Sequence, residues 1–361
     1  MAAQGRHDAD VAVVGAGIAG VAAARALAAE GRTVILFEQF QLGHSRGSSH
    51  GGSRIFRLGY PDPRFVRLAQ EARARWRELE AEAGEDLIVP SGSLDLGPIA
   101  SEHARAFEAC GVAHELLTGA DVGARWPIDA APDEPALFQA DGGIILADRA
   151  YAALVAGTPR ERVEIREQAT VTAIAPEERR VRVESSAGAA VAAAVVVTAG
   201  AWAQRLLDPL GVDLAATPTR ETVTYFRLHD AETLPALIDS ATPDDRGVLR
   251  EGRISYGLAA PGVGLKAGLH QSGPETDPDL TGAPDDGVVG WVAEWVGRRY
   301  PEADASPFAA ETCIYTSRRD ESFVLERRDR VVIGSACSGH GFKFAPLVGA
   351  TLADLAGQAL R

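Results

Sequence analysis

Lysine is almost missing from this 361-residue chain: of its 36 basic residues, 34 are arginine and 2 are lysine. Arginine is a planar fork that keeps its proton, whereas lysine is a compact point charge that can lose it. A lysine retained against that drift marks a place where guanidinium would not serve. Lys266 lies in Gly262-Val-Gly-Leu-Lys-Ala-Gly-Leu-His270 and Lys343 in Ser338-Gly-His-Gly-Phe-Lys-Phe344; neither context has the pattern of an exposed helix face. The pair points to an active site. Cysteine is scarce as well. Cys110, Cys313 and Cys337 are too few and too scattered for a disulfide framework or a zinc site, so no metal is expected.

The first residues, Met1 to Asp10, contain no apolar signal-peptide core, and the first apolar run is broken by Gly15, Gly17 and Gly20, which excludes a membrane span there. A net charge of −14 and a pI near 5.1 exclude nucleic acid and anionic membrane as natural partners. There are no internal repeats and no low-complexity tails. A cytoplasmic location follows. With 46% hydrophobic and 24% charged residues, the composition is that of a globular protein, long enough for two domains.

Residues 10–38 read as one βαβ unit. Asp10–Val14 is a buried strand, Gly15-Ala-Gly-Ile-Ala-Gly20 a glycine turn, Val21–Glu30 an Ala-rich helix stopped by Gly31, and Thr33–Phe37 a second strand ending at Glu38. Gly15 permits the tight turn, Gly17 lets the backbone approach a pyrophosphate, and Gly20 allows close helix–strand packing. The helix N-terminus then faces phosphates, and Glu38 can accept hydrogen bonds from ribose hydroxyls. This is a dinucleotide-binding fingerprint.

An amphipathic helix is expected over 64–83, with Phe65, Leu68, Ala69, Ala72, Trp76 and Leu79 inward and Gly84 as its cap. A shorter helix, 101–110, would start at Ser101 and stop at Gly111. Strand-like runs follow at 163–165, 171–174, 181–183 and 194–202, the last returning to the nucleotide unit. From about 217 the texture changes to alternating strands, 219–228, 253–258 and 262–270. A strand at 330–334 and a helix over 346–360 close the chain. The fold class is therefore α/β, a Rossmann-type nucleotide-binding domain (1–85, 150–214 and 323–361) with an inserted, mainly antiparallel β-sheet substrate domain (86–149 and 215–322).

Alternation along 262–270 puts Leu265, Ala267 and Leu269 on one face and Gly264, Lys266, Gly268 and His270 on the other. Two glycines, a lysine and a histidine do not pack a core; they leave room for a flat ring and aim polar groups at it. Ser338–Pro346 is a glycine loop, with Gly339 and Gly341, leading into a helix whose first turn holds proline, a place that favours negative charge. Gly47-Ser-Ser-His-Gly-Gly-Ser-Arg-Ile-Phe-Arg57 sets His50, Arg54 and Arg57 in a glycine- and serine-rich loop. Cys313, in Glu311-Thr-Cys-Ile-Tyr-Thr316, by itself reads as a buried structural thiol.

Taken together, GSSHGGSRIFR, GLKAGLH, TCIYT and SGHGFKF, in this order and spacing, resemble the flavin-dependent amine oxidases of the monomeric sarcosine oxidase and N-methyltryptophan oxidase type. The resemblance runs over nearly the whole chain. It implies FAD, joined through its 8α-methyl to the Cys313 sulfur, and a Lys266 charge that favours reaction of the reduced flavin with O2. It implies that Arg57 and Lys343 pin a substrate carboxylate, that His270 and Tyr256 line the substrate cavity, and that His50 and Arg54 flank the flavin ring. The expected activity is oxidation of a secondary α-amino acid, such as sarcosine, by a monomeric enzyme, giving H2O2, formaldehyde and the primary amino acid. Oxidation of cyclic imino acids, a flavin dehydrogenase using another acceptor and a non-enzymatic flavoprotein stand as alternatives. Three departures are visible: Ser49 and Ser53 replace His and Thr of many relatives, Ser317-Arg-Arg319 is unusually basic, and the chain ends at Arg361, where relatives continue with a short tail.

Overall fold

The computed structural model describes residues 7–240 and 253–361. Met1–Arg6, part of the expected nucleotide segment, and 241–252, part of the expected substrate segment, lie outside the described residues.

Strands rich in Val and Ala, buried on both faces, pair in parallel at the centre of the first sheet. Ala9–Val14 lies between Val34–Phe37 and Ala190–Val197, with Val163–Arg166 beyond the former and Val331–Ser335 beside the latter. Near-continuous apolar runs belong in such doubly covered parallel sheets. Val171–Pro176, Val181–Ser185 and Val324–Arg328 extend it antiparallel. Helix Ile18–Ala29 makes the first crossover, and helix Ala345–Ala359 packs onto it so closely that a Cβ on Gly349 would stand 2.6 Å from Ala22 Cβ. Small residues on both helices set that distance.

The second sheet has eight strands in the order Asp304–Arg318, Ala216–Arg227, Gly264–Leu269, Ser255–Ala260, Ala236–Asp239, Ser93–Leu96, Pro135–Gln139 and Glu115–Thr118. Every pairing is antiparallel except Ala236–Asp239 with Ser93–Leu96. Helix Asp286–Arg299 covers its apolar face with Val292, Trp295 and Val296, and Arg299 ties it down by ion pairs to Asp239 (2.8 Å) and Glu134 (2.6 Å). A small third sheet pairs Gly143–Leu146 with Ser53–Phe56 on one side and Ile88–Val89 on the other, so the Arg54 strand is braced by a segment from beyond residue 86.

The helix expected over 64–83 runs Pro63–Ala83, capped by Asp62, whose side chain accepts the Arg64 N–H at 2.8 Å, and ended by Gly84 at φ 70°. Leu68, expected inward, stands exposed; Val66 takes the inward place. The helix expected from Ser101 begins two residues earlier, at Ile99. Ser101 lies inside its first turn with its side chain exposed, and no side chain caps this end; the turn at Gly97 (φ 83°) starts the helix before the serine is reached. The strands expected at 253–258 and 262–270 are displaced to Ser255–Ala260 and Gly264–Leu269 by the Pro261-Gly262-Val263 turn that joins them.

Candidate active site

A cavity of about 450 Å³ opens between the two large sheets. Gly15, Gly17, Glu38, His50, Arg54, Arg57, Tyr256, Lys266, His270, Cys313, Gly339, Gly341 and Lys343 all line it. Of the residues expected at a site, Gly20 alone is absent from the lining. Its added Cβ would stand 1.9 Å from Gly15 O and 2.6 Å from Thr198 Oγ1, so this glycine lets helix and turn touch.

At the nucleotide end, Gly15 turns at φ 97°, where a Cβ would meet Thr198 O at 2.7 Å. Helix Ile18–Ala29 starts at Gly17 with no capping side chain of its own and no acidic residue in its first turn; Ser49 Oγ accepts the Ile18 N–H at 3.0 Å. Such a terminus carries partial positive charge for a phosphate. Glu38 is buried and accepts the N–H groups of Ala16 and Phe40, each at 2.9 Å. Burial would raise its pKa, but His44 at 3.4 Å and those two N–H groups hold it below the ordinary value. It stays a carboxylate, as a ribose acceptor must.

The Gly47–Arg57 loop is organised by Arg54, whose guanidinium donates to the carbonyls of Ser48, His50 and Ser53. Among the described residues, buried His50 Nε2 has no partner; burial and Arg54 keep the imidazole below its ordinary pKa, hence neutral. An unpartnered neutral ring nitrogen on a residue of the cavity wall suits a heteroaromatic ligand that can hydrogen-bond to it.

Lys343 is buried in the short turn Phe342–Phe344, whose position is set by Trp76: the indole N–H donates to Lys343 O at 2.7 Å. Its ammonium donates to Tyr60 Oη (2.9 Å) and His340 O (2.8 Å). Lysine can only donate, so the Tyr60 hydroxyl proton goes to His340 Nδ1 at 3.1 Å, and His340 Nε2–H to Glu321 O at 3.0 Å. Burial and Lys343 push the His340 pKa down to about 3, consistent with that neutral tautomer. The Arg57 guanidinium lies 4.6 Å over the Tyr60 ring and donates to Gly59 O. Burial and Arg57 hold Lys343 far below an ordinary lysine pKa.

On the second sheet, Lys266 projects from Gly264–Leu269, with Tyr225 and Leu258 as its strand neighbours. Its ammonium is 3.8 Å from Glu311 Oε1 and 5.7 Å over the Tyr225 ring, and the Tyr225 hydroxyl donates to the same carboxylate oxygen. Burial and Arg54 lower the Lys266 pKa to about 8 despite Glu311. Cys313 lies on the same strand face as Glu311 and Tyr315; burial pushes its thiol up to about 11 against the pull of Arg54 and Lys266. His270 pairs with Glu321 at 3.4 Å.

The glycines serve the protein's own rings more than was expected. The space at Gly268 is filled by Tyr256, whose hydroxyl would be 2.5 Å from an added Cβ, and Gly264 passes the Phe226 carbonyl at φ 135°. Gly339 makes way for Tyr315 and His270, and Gly341 for Ala336 O. Sequence reasoning missed Tyr60, Tyr225, Glu311, Tyr315, Glu321 and His340. Glu311 and Tyr315 stand two residues either side of Cys313, so strand alternation would have found both, and His340 lies inside the glycine loop already singled out.

The cavity thus joins a phosphate-ready helix end, a ribose acceptor and an open imidazole, an arrangement that fits FAD, with cations grouped at its far end. Residues 10–355 match the DAO family model, FAD dependent oxidoreductase. The chain is 35% identical to peroxisomal sarcosine oxidase of Mus musculus, over 96% of this chain and 91% of that protein. It is 33% identical to monomeric sarcosine oxidase of Bacillus sp. (strain NS-129), covering 96% and 92%. The structure of NikD, an unusual amino acid oxidase essential for nikkomycin biosynthesis, superposes with a TM-score of 0.86 at 28% identity, covering 96% and 93%. No helix among the described residues is long and apolar enough to cross a membrane. The chain belongs to the DAO family of FAD-dependent oxidoreductases, among the sarcosine oxidase-like enzymes that act on amine and amino-acid donors.

Proposed function

We propose that the protein oxidises secondary α-amino acids, sarcosine or another N-methyl amino acid, with O2 as acceptor, yielding H2O2, formaldehyde and the primary amino acid. One observation carries the reading: two basic side chains at the cavity wall, buried Lys343 and half-buried Arg57, share Tyr60, and among the described residues neither is within ion-pair distance of a carboxylate. Burial and Arg57 depress the Lys343 pKa, and an anion placed between the two would offset both, so the pair is suited to receive one, and the substrate carboxylate is that anion. Arg57 can offer a fork to both oxygens and Lys343 a point charge, which together fix the amino acid's orientation. His270 and Tyr256 line the remaining space for the substrate. Gly15, Gly17, Glu38, His50, Arg54, Gly339 and Gly341 would hold the FAD, which supplies the redox chemistry when bound. Cys313 is the proposed covalent anchor. The discontinuous nucleotide domain (1–85, 150–214 and 323–361), the substrate domain (86–149 and 215–322), a monomeric state and a cytoplasmic location belong to the same reading.

A peroxide-coupled screen of N-methyl and cyclic amino acids, with their methyl esters and decarboxylated amines, tests it. N-methyl amino acids should turn over and the carboxylate-free amines should lose most activity. Equal turnover of plain amines would remove the carboxylate clamp. Denaturing electrophoresis tests the anchor: yellow fluorescence should stay with the wild-type polypeptide and leave the Cys313→Ser protein.

A further inference from the structure

Glu311 has no part in the chemistry described so far, yet it is built into it. It stands on Asp304–Arg318 two residues before Cys313, on the same face, and across Ala216–Arg227 from Lys266. One oxygen, Oε1, receives the Tyr225 hydroxyl and faces the Lys266 ammonium at 3.8 Å. The two contacts fix the carboxylate's rotamer. A Cβ on Gly51, which turns at φ 101°, would stand 3.3 Å from Arg54 Nη1, 3.6 Å from Lys266 Nζ and 3.8 Å from Glu311 Oε1. Two cations and one carboxylate therefore meet over a single glycine.

The groups acting on Lys266 come from every neighbouring element: Arg54 and His50 from the glycine–serine loop, Tyr225 from the adjoining strand, Glu311 and Cys313 from Asp304–Arg318, and Asp148 from helix Ala147–Ala156. Among the described residues, Glu311 is the one carboxylate ion-paired with Lys266. Without it, the buried ammonium would face the Arg54 guanidinium with no ion-paired carboxylate, among the described residues, to offset it.

We propose that Glu311 is the positioning residue for Lys266, keeping its ammonium charged and in place, with Tyr225 holding the carboxylate in register. The proposal rests on the reading that the Lys266 charge promotes reaction with O2, and it extends that reading to the range of pH over which the enzyme can be reoxidised. The Lys266 pKa is depressed to about 8, so its charge is present below that pH and lost above it. Removing Glu311 moves the loss to lower pH. An opposite charge at about 4–6 Å shifts a pKa by roughly 1–3 units, and Glu311, more than a third exposed, belongs at the low end, about one unit.

Because the chain has two lysines, the titration can be watched directly. Holoenzyme labelled at lysine 13Cε gives two side-chain signals, and Lys266 is assigned by its loss in Lys266→Met. In Glu311→Gln the Lys266 signal should titrate about one unit lower while the Lys343 signal keeps its folded position; Glu311→Asp should restore part of the shift. An unmoved Lys266 titration overturns the proposal, as does a joint movement of both signals in all Glu311 variants, which would make the residue merely structural. Stopped-flow reoxidation by O2 over the same pH range is the second readout, and its alkaline decline should move down in step. A moved titration with an unmoved reoxidation profile leaves the Glu311–Lys266 coupling standing and removes Lys266 from the oxygen reaction.

Discussion

Lys343 and Lys266 are equally buried, each 5% exposed, yet their surroundings differ in kind. Lys343 is held by neutral acceptors, the Tyr60 hydroxyl and the His340 carbonyl, in a turn pinned by Trp76. Lys266 has a standing carboxylate partner and an aromatic face. Hydrogen bonds to neutral groups orient the Lys343 amine while burial and Arg57 hold its pKa down; a carboxylate meets the Lys266 charge before any ligand arrives. The first arrangement waits for an anion and the second keeps a cation in readiness. One residue type thus does two jobs, and the neighbours decide which.

Charge removal at each site should break that contrast in opposite halves of the reaction. The largest effect is expected for Lys266→Met: reoxidation by O2 should slow by about 10²–10³, the usual loss when a preorganised charge beside a developing anion is removed. Reduction by substrate should slow far less. Rapid mixing resolves the two steps, and equal slowing would assign Lys266 to substrate or to structure.

Lys343→Met or Arg57→Met should act on the other half. A hydrogen bond to a charged group contributes about 1.5–3 kcal/mol, so substrate binding should weaken roughly 10- to 100-fold. Reoxidation should be little altered. Lys343→Arg should not restore binding, because the guanidinium does not fit a turn already filled by Tyr60 and His340. Saturation kinetics of the reductive half-reaction measure this directly.

The smallest change is Tyr60→Phe, which deletes one hydroxyl between Lys343 and His340. A net hydrogen bond contributes about 0.5–1.5 kcal/mol, so a loss of roughly 2- to 10-fold in substrate affinity is expected. An effect as large as that of Lys343→Met would mean that Tyr60, not the ammonium, meets the carboxylate.

Sequence reasoning reached the parts of this fold that depend on local pattern. The glycine turn, its flanking strands and the helix ending at Gly84 follow from period and punctuation, and the structure has them within a few residues. Ser101 was misjudged because a serine near a helix start is only a candidate cap; the turn at Gly97 determined where the helix began. Leu68 was misjudged because one apolar residue at the edge of a stripe can fall to either side. In the site, charged residues within recognisable motifs were legible. Glu321 and Tyr60 were not, since each matters through a partner far away in the chain, His270 and Lys343 respectively; alternation from Cys313 would have put Glu311 on the site face but not beside Lys266 and Tyr225. The pairing of Glu311 with Lys266 and Tyr225 is a property of the sheet register, and the other two are made by loops and turns.

The depth of both lysines has a practical side. Amine-directed crosslinkers, dyes and activated supports react with unprotonated amines at the surface, and here neither lysine amine is at the surface. Among the described residues the basic side chains left at the surface are guanidinium and imidazole groups, which lysine-directed reagents leave alone. An enzyme of this design would resist random coupling through lysine, and a reagent small enough to enter the cavity would find both of its lysines at the reaction site.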